Sequence, residues 1–279
     1  MPDGAVRTIK VDGRDRTYRV HRPTTIDRDD PTSLVVVLHG GFGTGAQARA
    51  SLGWDAKADA ERFVVAYPDG LDRSWNAGTC CGRAQRDDID DVKFLGTVID
   101  QVTRAEGVNP DLVYVTGISN GGMMAYRIAC ELPGKVAAIG PVAATMTVAC
   151  DNPVPKPTSV LHIHGLDDRN VPFFGGVGTK GVAKDSRPSV PSVIERWRAV
   201  DQCPVAPASS TNGPVTTASS GPCANGTEVI LVTIAGAGHQ WPGSMPSNTA
   251  ASRALDLDPP SNALNATTTL WEFFIRVTL

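Results

Sequence analysis

Short apolar runs alternate along this 279-residue chain with segments whose hydrophobic residues recur at helical spacing. The runs are bounded by Gly, Pro or Asp, a pattern typical of buried strands in a mostly parallel sheet. They span 34–38, 63–67, 112–116, 137–142, 160–163 and 229–234. With the helical segments between them, these runs predict an α/β fold in which helices flank a central sheet.

Three segments have the apolar spacing of helices. In the first, apolar residues recur from Val92 to Val102, acidic residues precede it, and Gly107 ends it. The second runs from Asn120 to about residue 132. The third covers about 266–277, and its apolar face predicts packing against the core.

The first residues predict an antiparallel hairpin at the edge of the sheet. Residues 7–11 and 16–21 lie on either side of Asp12-Gly13, a dipeptide favoured in tight turns. No linker or internal repeat divides the chain, so we expect one catalytic domain over 1–279, a length at which α/β proteins bury a substantial core.

The pentapeptide Gly117-Ile118-Ser119-Asn120-Gly121 stands directly between the apolar run 112–116 and a predicted helix. A strand, a tight turn that holds a serine, and a helix make a nucleophile elbow, the hallmark of the α/β-hydrolase fold. The glycines leave room for neighbouring backbone and for an acyl group. Ser119 is therefore the candidate nucleophile, although such a string also occurs in ordinary turns.

A nucleophilic serine needs a base, and in this fold the chain order is serine, acid, histidine. Four of the five histidines lie upstream of Ser119 or on a predicted strand: His21, His39, His162 and His164. His239 remains, in a glycine-rich loop after the strand 229–234. Elimination therefore makes His239 the candidate general base.

The acid is expected in a loop just past a strand, between Ser119 and His239. The exit of the strand 160–163 carries Asp167 and Asp168, and both are candidates. The pair His162 and His164 beside these carboxylates also permits a metal site. We disfavour a metal because packing histidines at strand ends are commoner and no further His or Cys cluster accompanies them.

The oxyanion of an acyl-transfer reaction needs backbone N–H donors. Asn120, which follows the nucleophile, is the first candidate, and the loop 39–43 offers the second through Gly41 or Phe42. A phosphate cradle is the alternative for this glycine-rich loop, but it lacks both the Lys-Ser/Thr ending of a P-loop and the spacing of a dinucleotide fingerprint. We therefore expect no cofactor.

Six motifs follow one another along the chain. They are Leu38-His39-Gly40-Gly41, Trp75-Asn76-Ala77-Gly78-Thr79-Cys80-Cys81-Gly82, Asp90-Asp91-Val92-x-Phe94-Leu95, Gly117-x-Ser119-x-Gly121-Gly122-Met123-Met124, His164-Gly165-x-x-Asp168-x-x-Val171-Pro172 and Gly238-His239-x-Trp241-Pro242-Gly243. This set resembles the polyhydroxybutyrate-depolymerase-type esterases. That group includes the LpqC-like proteins and many feruloyl and acetylxylan esterases of carbohydrate esterase family 1.

The resemblance implies an α/β-hydrolase fold with Ser119, Asp168 and His239 as nucleophile, acid and base. It favours Asp168 over Asp167 because the acid of the family stands three residues before Val-Pro. It also implies a carboxylesterase that acts on feruloyl or related esters of plant polysaccharide, with hydroxyalkanoate polyesters or oligomers as the second choice. Acyl transfer to a sugar uses the same triad, and a non-catalytic carbohydrate-binding protein on this scaffold would show a broken one.

The indoles of Trp75 and Trp241 are candidates for the wall of the substrate cleft. Each offers a flat apolar face and one N–H donor to an aromatic or polyester acyl group. Core packing is the alternative for both, and Trp241, two residues after His239, is the stronger candidate.

Six cysteines, an even number, suit an oxidising compartment. Cys203 and Cys223 flank a Pro/Ser/Thr/Gly-rich excursion without a predicted element, and we expect a disulfide at its base. Three connectivities stay open for the remaining four cysteines: Cys80, Cys81, Cys130 and Cys150. We expect a secreted or extracytoplasmic enzyme whose leader is not part of this sequence; a cytoplasmic protein with reduced thiols is the alternative.

The net charge is −3 with both signs interspersed, which argues against nucleic acid or an anionic membrane as partner. No stretch approaches the ~18 apolar residues of a membrane span. The expected partner is a small or oligomeric ester substrate, and the expected state is a monomer.

Overall fold

The computed structural model describes residues 3–27, 30–151, 155–180, 185–204, 206–246 and 258–278. The strands are β1 Arg7–Val11, β2 Arg14–His21, β3 Thr32–Leu38, β4 Val64–Pro68, β5 Val108–Ile118, β6 Ala138–Val142, β7 Ser159–Gly165, β8 Gly176–Val177, β9 Ser186–Arg187, β10 Ala208–Asn212, β11 Val215–Ser220 and β12 Val229–Ile234. The helices are α1 Gly45–Ser51, α2 Trp54–Glu61, α3 Gly82–Arg86, α4 Asp91–Glu106, α5 Asn120–Glu131, α6 Val190–Val200 and α7 Ala266–Arg276.

A ten-stranded sheet in the order β1-β2-β4-β3-β5-β6-β7-β12-β11-β10 forms the centre of the fold. Its middle, from β4 to β12, is parallel, and an antiparallel hairpin closes each end. The predicted α/β-hydrolase fold and the predicted hairpin of β1 and β2 are confirmed. Strands β8 and β9 pair with each other in a separate ribbon.

Both faces of the sheet are covered, so the core has two parts. Helices α4, α5 and α6 pack on one face, and α1, α2 and α7 pack on the other. Along β5, Val113 and Val115 point to the first part and Tyr114 to the second. Burial on both faces explains the continuous apolar runs. Within the described ranges, no helix is long and apolar enough to cross a membrane.

Capping residues define the ends of the helices. The side chain of Asp90 accepts a hydrogen bond from the backbone N–H of Lys93 at 2.8 Å, at the start of α4. Gly107 ends that helix with a φ of 67°, a conformation that favours glycine. Asn265 caps α7 in the same way as Asp90 caps α4, through the N–H of Thr268 at 2.9 Å.

The excursion between Cys203 and Cys223 contains a hairpin that the sequence pattern did not predict. Strands β10 and β11 extend the sheet from β12, with Val215 opposite Ile234. The residues of β10 are exposed, so no buried face imposes an alternation of apolar and polar residues that could have revealed the strand. The Ser- and Thr-rich strands are held by pairing instead: β11 pairs with the edge strand β12, and β10 pairs with β11.

All six cysteines are paired. The predicted disulfide between Cys203 and Cys223 is confirmed. Of the connectivities left open, the structure has Cys130 with Cys150 and the neighbours Cys80 with Cys81. The Cys130–Cys150 disulfide ties α5 to the segment after β6, and the Cys80–Cys81 disulfide lies in the loop before α3.

A buried ion pair links the N-terminal hairpin to α4. The guanidinium of Arg16 donates to Oδ1 of Asp91 at 2.6 Å, and both side chains are at most 3% exposed. Oδ2 of Asp91 accepts the backbone N–H of Asn76 at 2.7 Å, and Arg16 also lies 3.9 Å over the ring of Phe94. The pair therefore holds the segment that follows Trp75 against the core.

Replacing Asp91 tests this anchor. Asp91→Asn leaves the buried charge of Arg16 without a carboxylate, and we expect a loss of about 3–5 kcal/mol in the free energy of unfolding. Urea denaturation measures the change. Asp90→Asn is the matched control: it keeps a capping side chain and should change stability by under about 0.5 kcal/mol. Equal stabilities for the two variants would contradict the anchor.

Candidate active site

Ser119 sits in the sharp turn between β5 and α5. Its backbone has φ 56° and ψ −122°, a strained conformation that non-glycine residues rarely adopt. The backbone N–H of Ser119 donates to the carbonyl of Val142 at 2.9 Å, which fixes the turn against the end of β6. The serine is partly exposed at the carboxyl edge of the sheet, as a nucleophile elbow requires.

The neighbouring glycines are required by close packing. A Cβ atom on Gly117 would lie 2.7 Å from the carbonyl oxygen of Leu38, and one on Gly121 would overlap that same oxygen. A Cβ atom on Gly122 would lie 2.7 Å from the methyl group of Ala144. Larger residues would push β3, β5 and α5 apart, so the glycines set the position of the turn.

Asp168 and His239 form a hydrogen-bonded pair at the same edge. Nδ1 of His239 lies 2.7 Å from Oδ2 of Asp168, and both residues are buried. Oδ1 of Asp168 accepts the backbone N–H groups of Asn170 and Val171, each at 2.8 Å. Burial alone would raise the pKa of the Asp168 carboxyl, but attraction to His239 and these hydrogen bonds outweigh it and hold that pKa below its usual range.

Asp167, the other candidate acid, is exposed. Its backbone N–H donates to the carbonyl of Ala237 at 2.9 Å, which ties the loop after β7 to the loop after β12. Of the two carboxylates, it is Asp168 that contacts His239.

The parallel strands bring the three residues to one edge. Ser119 follows β5, Asp168 follows β7 and His239 follows β12, and β6 and β7 lie between the first and the last of these strands. Among the hydrogen bonds of the described residues, none joins the hydroxyl of Ser119 to His239. Bonds between nucleophile and base often tighten only when substrate is bound.

Asp258 holds the histidine loop and was missed from the sequence. Its Oδ2 accepts the backbone N–H of His239 at 2.9 Å, and its Oδ1 accepts Nζ of Lys180 at 3.0 Å. Asp258 stands 19 residues after His239 in the chain, in no recognisable motif. Only the fold brings the two together, so the sequence pattern carried no signal for it.

The loop 39–43 after β3, called the oxyanion loop below, is predicted to supply a backbone N–H donor through Gly41 or Phe42. The backbone N–H of Phe42 donates to the carbonyl of Arg73 at 2.8 Å, so the prediction of Phe42 as an oxyanion donor is wrong, because its N–H is already bound. Gly41 remains the candidate in this loop. Asn120 is the first residue of α5, so its N–H has no acceptor within the helix.

His39 braces the same loop. Its Nδ1 donates to the carbonyl of Gly40 at 2.8 Å, and its Nε2 accepts the N–H of Gly70 at 2.9 Å. Burial lowers the pKa of His39 to about 4, so the ring is neutral at ordinary pH and keeps one donor and one acceptor.

The side chain of Asn120 clasps the backbone of Trp75. Oδ1 accepts the N–H of Trp75 at 2.7 Å, and Nδ2 donates to its carbonyl at 3.0 Å. Both groups are buried. The residue after Ser119 thus fixes the segment that leads to the Cys80–Cys81 pair.

The prediction that Trp75 and Trp241 line the cleft is wrong. Their side chains are 0% and 1% exposed, because both indoles pack in the core. The indole N–H of Trp75 donates to the carbonyl of His39 at 2.9 Å, and that of Trp241 donates to the hydroxyl of Thr267 at 3.1 Å. Trp75 therefore contacts the end of β3, and Trp241 contacts α7.

Two phenylalanines are exposed at the carboxyl edge instead. Phe42 is 48% exposed in the oxyanion loop, and Phe174 is 82% exposed, six residues after Asp168. Phe42 borders a cleft of about 620 Å³ together with Gly41 and the disulfide Cys80–Cys81. Charged side chains complete its lining: Asp72, Arg73, Arg83, Arg86 and Asp185.

The alternative of a metal site at His162 and His164 is not supported by the geometry. All four ring nitrogens take part in hydrogen bonds, to Tyr126, to each other and to the carbonyl of Val171. In the described part of the chain, one other group has metal-ligand spacing: Asp3, His21 and Asp55. The guanidinium of Arg49 pairs with both of its carboxylates, so both already have a cationic partner.

Comparison with known proteins connects this geometry to an enzyme class. No family model matches the chain. NocK of Nocardia uniformis subsp. tsuyamanensis, which is named as an esterase, is 33% identical over 255 residues, covering 85% of this chain and 74% of NocK. The chain belongs to this family of esterases. The expected carboxylic ester hydrolase is thereby confirmed.

Other relatives of this esterase carry names with narrower substrates. The bifunctional acetylxylan esterase/xylanase XynS20E of Neocallimastix patriciarum is 24% identical over 81% of the esterase, and feruloyl esterase B of Piromyces equi is 28% identical over 80%. The esterase spans 31% and 42% of these two longer proteins.

A solved structure agrees on the fold. The acetyl xylan esterase from Aspergillus awamori superposes on the esterase with a TM-score of 0.63, covering 91% of the esterase and 98% of that chain at 14% sequence identity. At this identity the likeness concerns the fold alone.

Removing the clasp of Asn120 should impair the esterase. Asn120→Ala leaves the buried N–H of Trp75 without a partner and its carbonyl with the N–H of Cys81 alone. We expect a loss of about 1–3 kcal/mol in stability and a fall of roughly tenfold in kcat. Asn109→Ala, near the start of β5, the strand that leads to Ser119, is the control and should leave kcat unchanged. Steady-state kinetics and urea denaturation measure both. An unchanged kcat in Asn120→Ala would contradict a positioning role.

Proposed function

We propose that this esterase cleaves carboxylic esters with Ser119, His239 and Asp168 as a catalytic triad. The observation that carries the proposal is the 2.7 Å hydrogen bond from His239 Nδ1 to the buried carboxylate of Asp168, at the edge of the sheet where Ser119 also lies in its strained turn. The chain order serine, acid, histidine agrees with the fold. On this proposal the chain works as one catalytic domain.

The chemistry follows from the roles of these atoms. Nε2 of His239 takes the hydroxyl proton as Ser119 Oγ attacks the ester carbonyl, and Asp168 stabilises the imidazolium that forms. The backbone N–H groups of Asn120 and Gly41 face the negative oxygen of the tetrahedral intermediate. His239 then returns the proton to the leaving alcohol, and water, activated by the same histidine, hydrolyses the acyl-enzyme.

We propose feruloyl or acetyl esters of plant polysaccharide as the substrates. The names of feruloyl esterase B and XynS20E support this class. So do the exposed rings of Phe42 and Phe174, which offer apolar faces to an aromatic acyl group where the two tryptophans cannot. Oligomers of hydroxyalkanoates are the second candidate, on the ground of the six sequence motifs. Acyl transfer and sugar binding without catalysis rank below both.

We propose that the enzyme works outside the cytoplasm as a monomer. Pairing of all six cysteines favours an oxidising compartment. A soluble ester reaches an exposed cleft of this kind without a partner subunit.

Substitution of the triad tests the mechanism. Ser119→Ala should lower kcat for p-nitrophenyl acetate by about 10⁵- to 10⁶-fold, because nucleophile and base act as a unit. Asp168→Asn should lower it by about 10³- to 10⁴-fold through the wrong histidine tautomer. Steady-state kinetics on folded protein, checked by circular dichroism, measures both.

Asp167→Asn is the matched control, since Asp167 is adjacent and exposed. It should retain kcat within about twofold. Full activity of Ser119→Ala, or a greater loss in Asp167→Asn than in Asp168→Asn, would refute the assignment.

A panel of substrates tests the proposed class. We expect kcat/KM to be higher for methyl ferulate and acetylated xylan than for hydroxybutyrate oligomers. Phe42→Ala should raise KM for methyl ferulate more than for p-nitrophenyl acetate, because only the ferulate has an aromatic acyl group to lose contact. Faster cleavage of the oligomers would move the assignment to the second candidate.

A further inference from the structure

A chain of buried hydrogen bonds runs from α5 to the candidate acid. The hydroxyl of Tyr126 lies 2.8 Å from Nδ1 of His162, and Nε2 of His162 lies 3.0 Å from Nδ1 of His164. Nε2 of His164 lies 2.9 Å from the carbonyl of Val171 and 3.5 Å from Oδ2 of Asp168. The mechanism above uses none of the first three side chains, although all are fully buried.

The carbonyl of Val171 determines which atom is the donor in each of these hydrogen bonds. A carbonyl only accepts, so Nε2 of His164 carries a proton and, in a neutral ring, Nδ1 accepts. Nε2 of His162 must then donate to it, which leaves Nδ1 of His162 to accept from the hydroxyl of Tyr126. Burial lowers the pKa of both histidines and raises that of Tyr126, so all three groups stay neutral.

This series of hydrogen bonds reaches both carboxylate oxygens of Asp168. Val171 donates its N–H to Oδ1 of Asp168 and accepts from His164 with its carbonyl, so this one residue couples the histidine to the carboxylate. The same N–H of His164 faces Oδ2, the oxygen that contacts His239. The acid therefore depends on His164 for both the position of its loop and the surroundings of its reactive oxygen.

We propose that His164 is a positioning residue for Asp168, held in the Nε2–H tautomer by His162 and Tyr126. The proposal rests on the triad proposed above. The titratable groups that face His164 are His162 on its own strand, Asp168 in the exit loop of that strand and His239 in the loop after β12. Tyr126 reaches it from α5 through His162.

Substitution of His164 tests the proposal in the full-length enzyme. His164→Leu removes the N–H, and we expect kcat for p-nitrophenyl acetate to fall by roughly ten- to a hundredfold with little change in KM, because the acid is misplaced. His164→Gln, which can present an amide N–H near the same point, should recover most of the loss.

Leu161→Ala is the matched control. Leu161 lies on the same strand, but its side chain packs into the half of the core that does not contain Tyr126. It should lower stability and leave kcat and KM unchanged. If His164→Leu behaves like Leu161→Ala, the proposal for His164 is overturned. An inactive Ser119→Ala variant in the same assay would still support the triad. Activity in Ser119→Ala would instead overturn the triad.

The tautomers are tested on the unsubstituted enzyme, so a variant that fails to fold does not end the test. Nitrogen-15 NMR of histidine-labelled protein should give His162 and His164 as neutral Nε2–H rings that do not titrate between about pH 5 and 9. A Nδ1–H tautomer at either ring, or titration of either ring in that range, would overturn the proposal.

Discussion

The left-handed backbone of Ser119 is the constraint on which the site depends. Such a conformation costs about 1–3 kcal/mol and persists only where the surroundings over-determine it. Gly117 and Gly121 supply those surroundings, because their missing side chains let the turn press against the carbonyl of Leu38. The same turn points the serine hydroxyl out of the sheet and begins α5, so the N–H of Asn120 is left free beside it.

Buried polar contacts extend this rigidity away from the elbow. Asn120 clasps Trp75, and the next residue, Asn76, donates to Asp91, which is paired with Arg16. One continuous set of hydrogen bonds therefore joins the turn at Ser119 to the N-terminal hairpin. On the other side of the site, the carboxylate of Asp168 and the backbone of His239 are held in the same way. Because each buried polar group in these chains has a partner, the site is stiff and the core tolerates its polarity.

The sequence predicted most of the fold because the central strands are buried on both faces and so appear as continuous apolar runs. The chain order of the fold led to His239, while the choice of Asp168 over Asp167 came from the resemblance to the esterase family; the structure has these two residues in contact. The sequence pattern failed for β10 and β11, whose stability comes from an exposed sheet edge that leaves no pattern. It also misjudged Trp75 and Trp241, since neither the glycine-rich segment around Trp75 nor the closeness of Trp241 to His239 in sequence shows that both indoles are buried in the core. The contact of Asp258 with His239 depends on tertiary folding alone.

The claim that Ser119 is the nucleophile is tested most directly by covalent labelling. Incubating the enzyme with a fluorophosphonate ester, then measuring intact mass and mapping peptides, reports which side chain reacts. The account predicts one phosphonyl group per chain, on the peptide that contains Ser119, with loss of esterase activity in proportion to labelling. Label on a different residue, or complete inhibition with Ser119 unmodified, would contradict it.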